Sequence, residues 1–321
     1  MHSLKSALLV LALACLPLTA LSQTYPNRQV KMIVPFPPAG ATDIVARIVA
    51  DQLAKAWNQP VVVENRSGAS GMLGTDVVAK SATDGYTILL GTLATNIMAH
   101  LLYSTVPYAP DAFAPVTLLT TTPNMLLANS NLPGSSLTEL IVYAKGRPGK
   151  VSYASAGIGL SGHVGMELFA MAAGLQLLHV PYRGSAPSGQ AFAAGQVDLT
   201  LSLVPESLHA MQTSGVKPIA VAAAKRSRQF PNVPTFAELG YENIQVYALN
   251  GLMVPAGTSR EIINRIYRES IAALNLPVIR ERIDKLGLDI IGSTPEEFGE
   301  HLSRERERWT PVIKRANIRA D

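Results

Sequence analysis

Apolar residues recur along this chain with two different periods. Val30, Met32, Ile33 and Val34 form a short run that reads as a buried strand, while Ile44 to Trp57 (IVARIVADQLAKAW) places apolar residues at helical spacing. The alternation continues downstream. Further strands are expected at Val61 to Glu64, Thr87 to Leu90, Met125 to Ala128, Val151 to Ala154, Leu177 to Val180, Leu199 to Leu203, Ile219 to Ala222 and Leu252 to Val254. Helices at Asp76 to Ser81, His163 to Ala173, Ser259 to Leu274 and Pro295 to Trp309 fill gaps between or after them. Thr294-Pro295-Glu296-Glu297 is a helix start, with Thr at the N-cap, Pro at N1 and acids at the positive end of the dipole. Short apolar runs alternating with amphipathic ones predict an α/β protein with largely parallel sheets.

Two domains are the default for a chain of this length, at about 100–200 residues each. Crossings between them are expected at Thr120 to Pro123, a polar and Pro-containing break after Val116 to Leu119, and at Tyr247 to Gly251. A chain that leaves one domain, builds a second and returns would divide into 23–121 with 249–321 as lobe 1 and 122–248 as lobe 2, leaving a cleft where small molecules bind.

The first residues bear on compartment. Lys5 precedes the apolar run Ala7 to Cys15, and Ala20-Leu21-Ser22 offers small residues for a signal peptidase, so residues 1–22 read as a signal peptide with cleavage after Ser22. The apolar run is too short to span a bilayer, which takes about 20 residues. The expected product is periplasmic. Cys15 is the one cysteine and would leave with the signal, which takes disulfides and Cys-based metal sites with it; lipidation at Cys15 is the alternative. Formal charge is +4, and +3 without the signal and its Lys5, too mild for a nucleic-acid footprint.

Candidate chemistry concentrates at strand-to-helix loops. Between Val34 and Ile44, Pro35, Pro37 and Pro38 stop the strand, and Ala39 and Gly40 let a ligand approach the backbone. Thr42 is a candidate N-cap, and Asp43 falls in the first turn. A loop ending at the positive end of a helix dipole is an anion cradle. An ordinary turn has the same local signature. Gly157-Ile158-Gly159-Leu160-Ser161-Gly162 is a literal GxGxxG in a strand-to-helix context, but the next strand ends in His179-Val180-Pro181-Tyr182-Arg183 without the acid that would hold a ribose. It reads as a second amide-rich loop, and no cofactor is expected.

No Gly-x-Ser-x-Gly elbow occurs, and no HExxH or paired-His motif. His163, at a helix start, can donate to a ligand carboxylate or close its own helix turn. Gly68, Gly71 and Gly74, at spacing three, suggest tight backbone packing, and Arg66 suits a structural ion pair. Thr92 follows a strand end where it can lip a cleft, and Tyr182 closes another strand before Pro187, a candidate helix N1 residue.

Several segments together resemble one family. Val34-Pro35-Phe36-Pro37-Pro38-Ala39-Gly40-Ala41-Thr42-Asp43, Val63-Glu64-Asn65-Arg66, Asp84-Gly85-Tyr86-Thr87, Tyr153-Ala154-Ser155-Ala156-Gly157, Val180-Pro181-Tyr182-Arg183-Gly184 and Pro255-Ala256-Gly257-Thr258 resemble the Bug family, the extracytoplasmic solute receptors of tripartite tricarboxylate transporters. The resemblance implies a two-lobed Venus-flytrap fold, a type II periplasmic binding protein, closing on a small organic acid. It implies that backbone amides of the Phe36 to Asp43 loop hold a ligand carboxylate, with ordered water helping, and that Ser155 to His163 grips it from the other lobe.

The candidate ligand-binding residues are therefore Phe36, Pro37, Ala39, Gly40, Ala41, Thr42 and Asp43 on one side, with Thr92, and Ser155, Ala156, Gly157, Ser161, His163 and Tyr182 on the other. Family members often carry Gly at Ala39 and polar residues at Ile158 and Leu160. Apolar side chains there favour a ligand with an apolar or aromatic body and one carboxylate, packed by Phe36, Ile158, Leu160 and Leu249. The implied partners are membrane subunits of such a transporter, with a sensor kinase as the alternative and the protein itself a monomer. An exported enzyme acting on a small acid is the remaining rival; it lacks a nucleophile, a metal set or a paired-carboxylate motif.

Overall fold

The computed structural model describes residues 25–213 and 215–320, so the signal segment and Cys15 lie outside the described residues. The chain opens with strand β1 (Val30–Val34), stopped at Pro35, and helix α1 (Ala41–Trp57), whose Val45, Ile48, Val49, Leu53 and Trp57 form one buried stripe. Strand β2 (Val61–Asn65), helix α2 (Met72–Ala79) and strand β3 (Thr87–Gly91) follow. A π-helical turn at Ala94–Met98 then runs into the short helix α3 (Ala99–Leu102). Strand β4 (Phe113–Asn129) and helix α4 (Leu137–Lys145) lead to strand β5 (Ser152–Ser155), helix α5 (Ser161–Ala173), strand β6 (Leu178–Pro181), helix α6 (Ser185–Ala193), strand β7 (Leu199–Leu203), helix α7 (Val204–Thr213) and strand β8 (Val216–Val221). The chain returns through strand β9 (Tyr247–Pro255) and ends in helices α8 (Arg260–Leu274) and α9 (Pro277–Lys285), strand β10 (Asp289–Ile290) and helix α10 (Pro295–Ala316).

The strands lie in the order β2-β1-β3-β9-β4-β7-β5-β6, with β8 and β10 also paired to β4. Both halves are parallel where helices cross over: β1 with β2 and β3, and β5 with β6 and β7. Strand β4 joins the halves. Its first part pairs with β9 from Phe113 to Pro123, and its second part with β7 and β8 from Asn124 to Asn129. Thr120 to Pro123 is thus no break. Thr120, Thr121 and Thr122 are β-branched and sit well in a strand, and Pro123 falls where the chain exchanges partners, so its missing N–H is tolerated. Tyr247 to Gly251 is likewise the first half of β9.

Other expectations shift by short distances. Helix α2 begins at Met72 rather than Asp76, and α10 continues past Trp309 to Ala316. Pro187 is the third residue of α6, not its first. Thr294 caps α10 as expected, with the reciprocal bonds of a capping box to Glu297. Phe298 and Trp309 of α10 are fully buried. A Cβ on Gly251 would lie 2.2 Å from the Phe298 ring, so α10 and β9 meet only because that residue is glycine.

Candidate ligand site

The loop after β1 is held from below by two side chains. Asn65, at the end of β2, donates from Nδ2 to the Phe36 carbonyl (3.0 Å) and to Asp43 Oδ1 (2.9 Å). Asp43 is 2 % exposed, and its Oδ2 accepts from the Ala39 amide (3.0 Å) and from Arg47 Nε (2.9 Å). Burial alone would raise the Asp43 pKa, but the bonds from Arg47, Asn65 and Ala39 outweigh it and hold the carboxyl below its ordinary range. Asp43 therefore caps the backbone, its charge turned into the protein and paired.

Gly40 rather than Thr42 is the N-cap of α1, with extended backbone and no side-chain cap, and Thr42 sits at N2. Gly40 has no side chain to accept from the first-turn amides, and Asp43 reaches back to the Ala39 amide, outside the helix. The amides of Ala41, Thr42 and Asp43 consequently make no hydrogen bond among the described residues. Ala39 adopts a left-handed backbone (φ 67°), which accounts for a position where glycine is at home. Pro37 and Ala39 are exposed and Phe36 is half-buried.

The second loop runs from β5 to α5. Tyr182 and Gly184 donate their amides to the Ser155 and Ala156 carbonyls, which ties the end of β6 to the loop. Ser155 Oγ lies 2.7 Å from His179 Nε2. Gly157 and Gly159 have φ of 156° and 81°, and the Gly159 amide donates to His163 Nδ1 (3.1 Å). His163 thus closes its own helix start, and the bond leaves Nδ1 unprotonated with the ring proton on Nε2. Burial, with His179 alongside, pushes the His163 pKa down to about 3, and burial pushes His179 to about 4. The amides of Ser161 and Gly162 make no bond among the described residues. Gly162 packs so closely on β7 that a Cβ there would lie 2.5 Å from the Leu201 carbonyl oxygen.

The two loops meet through the turn at Ala69–Gly71. A Cβ on Gly71 would lie 3.2 Å from the Phe36 ring, and a Cβ on Gly74 2.5 Å from the Arg66 carbonyl, the tight packing expected of that glycine series. Ser70 Oγ donates to the Ile158 carbonyl (3.3 Å) and shares a bond with Tyr103 Oη (2.8 Å). Gly159 is seated against α3, where a Cβ would be 2.7 Å from Leu102 Cδ1.

Two expected residues fall elsewhere. Thr92 is buried and bound into its own turn by Thr95 and Asn96, and Leu249 is 2 % exposed in the apolar core. Arg66 pairs with Glu64. Sequence reasoning missed Arg47, Asn65, Ser70 and His179. Of these, Arg47 carried a signal in its position four residues after Asp43 on one helix face, and Asn65 in the Val63-Glu64-Asn65-Arg66 segment.

A hollow of about 460 Å³ opens beside His100, Tyr103, Ser104, Pro107 and Tyr108, but no residue of either amide loop lines it, so its size carries no weight for the site. Among the described residues no cluster of His, Cys, Asp or Glu is placed to hold a metal, and no helix is long and apolar enough to cross a membrane.

Two parallel-stranded halves joined by long strands, each presenting a helix start with unbonded amides, define a two-lobed solute-binding protein. The chain belongs to the TctC family, described as tripartite tricarboxylate transporter family receptors, whose model matches residues 45–318. Three solved structures are similar over almost all of both chains. The Rhodopseudomonas palustris protein Rpa4515 with adipate is 34 % identical with a TM-score of 0.87, covering 92 % of this chain and 99 % of its own. The periplasmic binding protein BugD is 32 % identical with a TM-score of 0.83, covering 92 % and 100 %. MatC from Rhodopseudomonas palustris, with bound malate, is 33 % identical with a TM-score of 0.83, covering 90 % and 100 %.

Proposed function

We propose that this protein is an exported, non-catalytic receptor that captures a small carboxylate for the membrane subunits of a tripartite tricarboxylate transporter. Residues 1–22 serve as its signal peptide, and the lobes divide as 23–121 with 249–321 against 122–248. The ligand carboxylate is held by backbone amides of the Phe36 to Asp43 loop and gripped from the second lobe at Ser155 to His163. The observation that carries this reading is the row of unbonded amides at Ala41, Thr42 and Asp43, opening a 17-residue helix while the neighbouring acid is turned away and neutralised by Arg47. Ile158 and Leu160, half-buried in the second loop, suit a ligand with an apolar or aromatic body and one carboxylate. Adipate in the Rpa4515 structure has such a body.

A thermal-shift screen of the chain from Gln23 onward, against aliphatic dicarboxylates, aromatic carboxylates and amino acids, tests the proposal. A ligand at a hundred times its dissociation constant adds about 2.7 kcal/mol, enough to raise the midpoint by several degrees. One class of carboxylates should do so. Shifts from no acid would overturn the receptor reading.

A further inference from the structure

The second loop is gripped at both ends by imidazole rings that lie flat on one another. His179, on β6, bonds Ser155 at the loop's start through Nε2, and His163, on α5, accepts the Gly159 amide at its end. The two rings are 4.1 Å apart and 12° from parallel. Tyr153, directly opposite His179 in the β5–β6 ladder, covers the other face at 4.7 Å and 14°, and its hydroxyl donates to Glu167, one turn along α5 from His163. Three aromatic rings from β5, β6 and α5 therefore form one stack under the loop. His163 is 4 % exposed, and the unbonded amides of Ser161 and Gly162 begin two residues after Gly159.

We infer that His163 and His179 are positioning residues for ligand capture: the hydrogen bonds they make at its two ends fix the loop from Ser155 to Gly159 so that the Ser161 and Gly162 amides are presented to the ligand, and neither ring touches the ligand itself. Two features require such a brace. The loop passes through Gly157 and Gly159 in backbone conformations that side-chain-bearing residues rarely adopt, so its own residues supply little stiffness. The hydrogen bonds also fall at its two ends, where they determine its path. A donor row misplaced by about 1 Å loses much of its value for an anion. The inference rests on the receptor reading.

The test uses His163→Leu, which removes the acceptor, His163→Asn, whose Oδ1 can take the Gly159 amide, and His179→Phe, which keeps a stacking ring but loses the bond to Ser155. Adipate is the probe for calorimetric titration, and amide hydrogen exchange at Gly159 is followed in the ligand-free protein. His163→Leu should speed Gly159 exchange at least tenfold and weaken adipate binding at least tenfold, and His163→Asn should restore both to within about threefold. His179→Phe should weaken binding while leaving Gly159 protected.

Adipate affinity within twofold of wild type in His163→Leu would overturn the inference. So would a His163→Asn protein that keeps Gly159 protected yet binds as weakly as His163→Leu, because the imidazole would then be a ligand contact. If the wild-type protein binds neither adipate nor any other carboxylate, the receptor reading fails, while unchanged exchange at Gly159 in His163→Leu separately overturns the brace.

Discussion

At the scale of single residues, the first loop turns on Asp43. A carboxylate in the proposed anion site would repel its ligand unless its charge were compensated, and Asp43 is paired with Arg47, Asn65 and the Ala39 amide. The arrangement carries a stability cost when the acid is replaced. Asp43→Asn keeps the shape but loses charge and places an NH₂ against donors, and should lower unfolding stability by about 1–3 kcal/mol at pH 7 in urea titrations. The sign of its pH dependence follows from the depressed native pKa. As pH falls, the unfolded chain takes up the proton first, so the stabilisation is complete above the ordinary carboxylate range and is lost as pH drops through the native value. The gap between wild type and Asp43→Asn should therefore close in acid; a gap that is constant with pH would contradict the pairing. The acid and its helical partner Arg47 were readable in the sequence by spacing. That Asp43 reaches back to Ala39 was not, because its carboxylate is also held by Asn65 arriving from β2, a contact that local sequence does not encode.

At the scale of elements, strand centres and helix starts were evident from period and capping chemistry. Val30–Val34 and Leu199–Leu203 coincide with expectation, as does the Thr294 cap. β4 changes partners at Thr120 to Pro123, where a crossing was expected, but its continuity was not evident: the segment has the composition of a break, and only pairing with β9 on one side and β7 on the other makes it strand. The ring stack was hidden for the same reason, since Tyr153, His163 and His179 come from three elements. It has a measurable signature. Unfolded histidines titrate near 6.5, whereas His163 and His179 stay neutral in the folded protein down to about pH 3 and about pH 4. The unfolded state thus binds more protons between these limits. Their contribution is full above pH 6.5 and lost as pH falls toward 4 and then 3. The thermal midpoint of wild type should decline across that window, and a His163→Asn/His179→Gln double variant should decline less steeply. Identical slopes would place the rings outside the titration.

At the scale of the whole molecule, family membership and the two-lobed fold were visible in motifs spread over the chain; the family match over residues 45–318 bears out the first and the similar solved structures the second. The contact between lobes was not: Ser70 meeting Ile158, and Gly159 seated on α3, bring together positions 88 and more than 50 residues apart. These contacts set the second amide loop beside the turn that packs on Phe36, the arrangement that the proposed binding of one ligand by both helix starts requires. In the proposed receptor, backbone amides rather than side chains hold the carboxylate. Ala41→Pro tests this with little disturbance, since Ala41 is the first residue of α1, where proline fits, and Gly40 before it is already extended (φ −76°, ψ 165°). The substitution removes one N–H and leaves the helix intact. Calorimetric titration of wild type and Ala41→Pro with the strongest carboxylate from the screen should show affinity lower by about 10–100-fold, the worth of a hydrogen bond to a charged group, with the ligand-free midpoint nearly unchanged. Equal affinities in the two proteins would contradict the account.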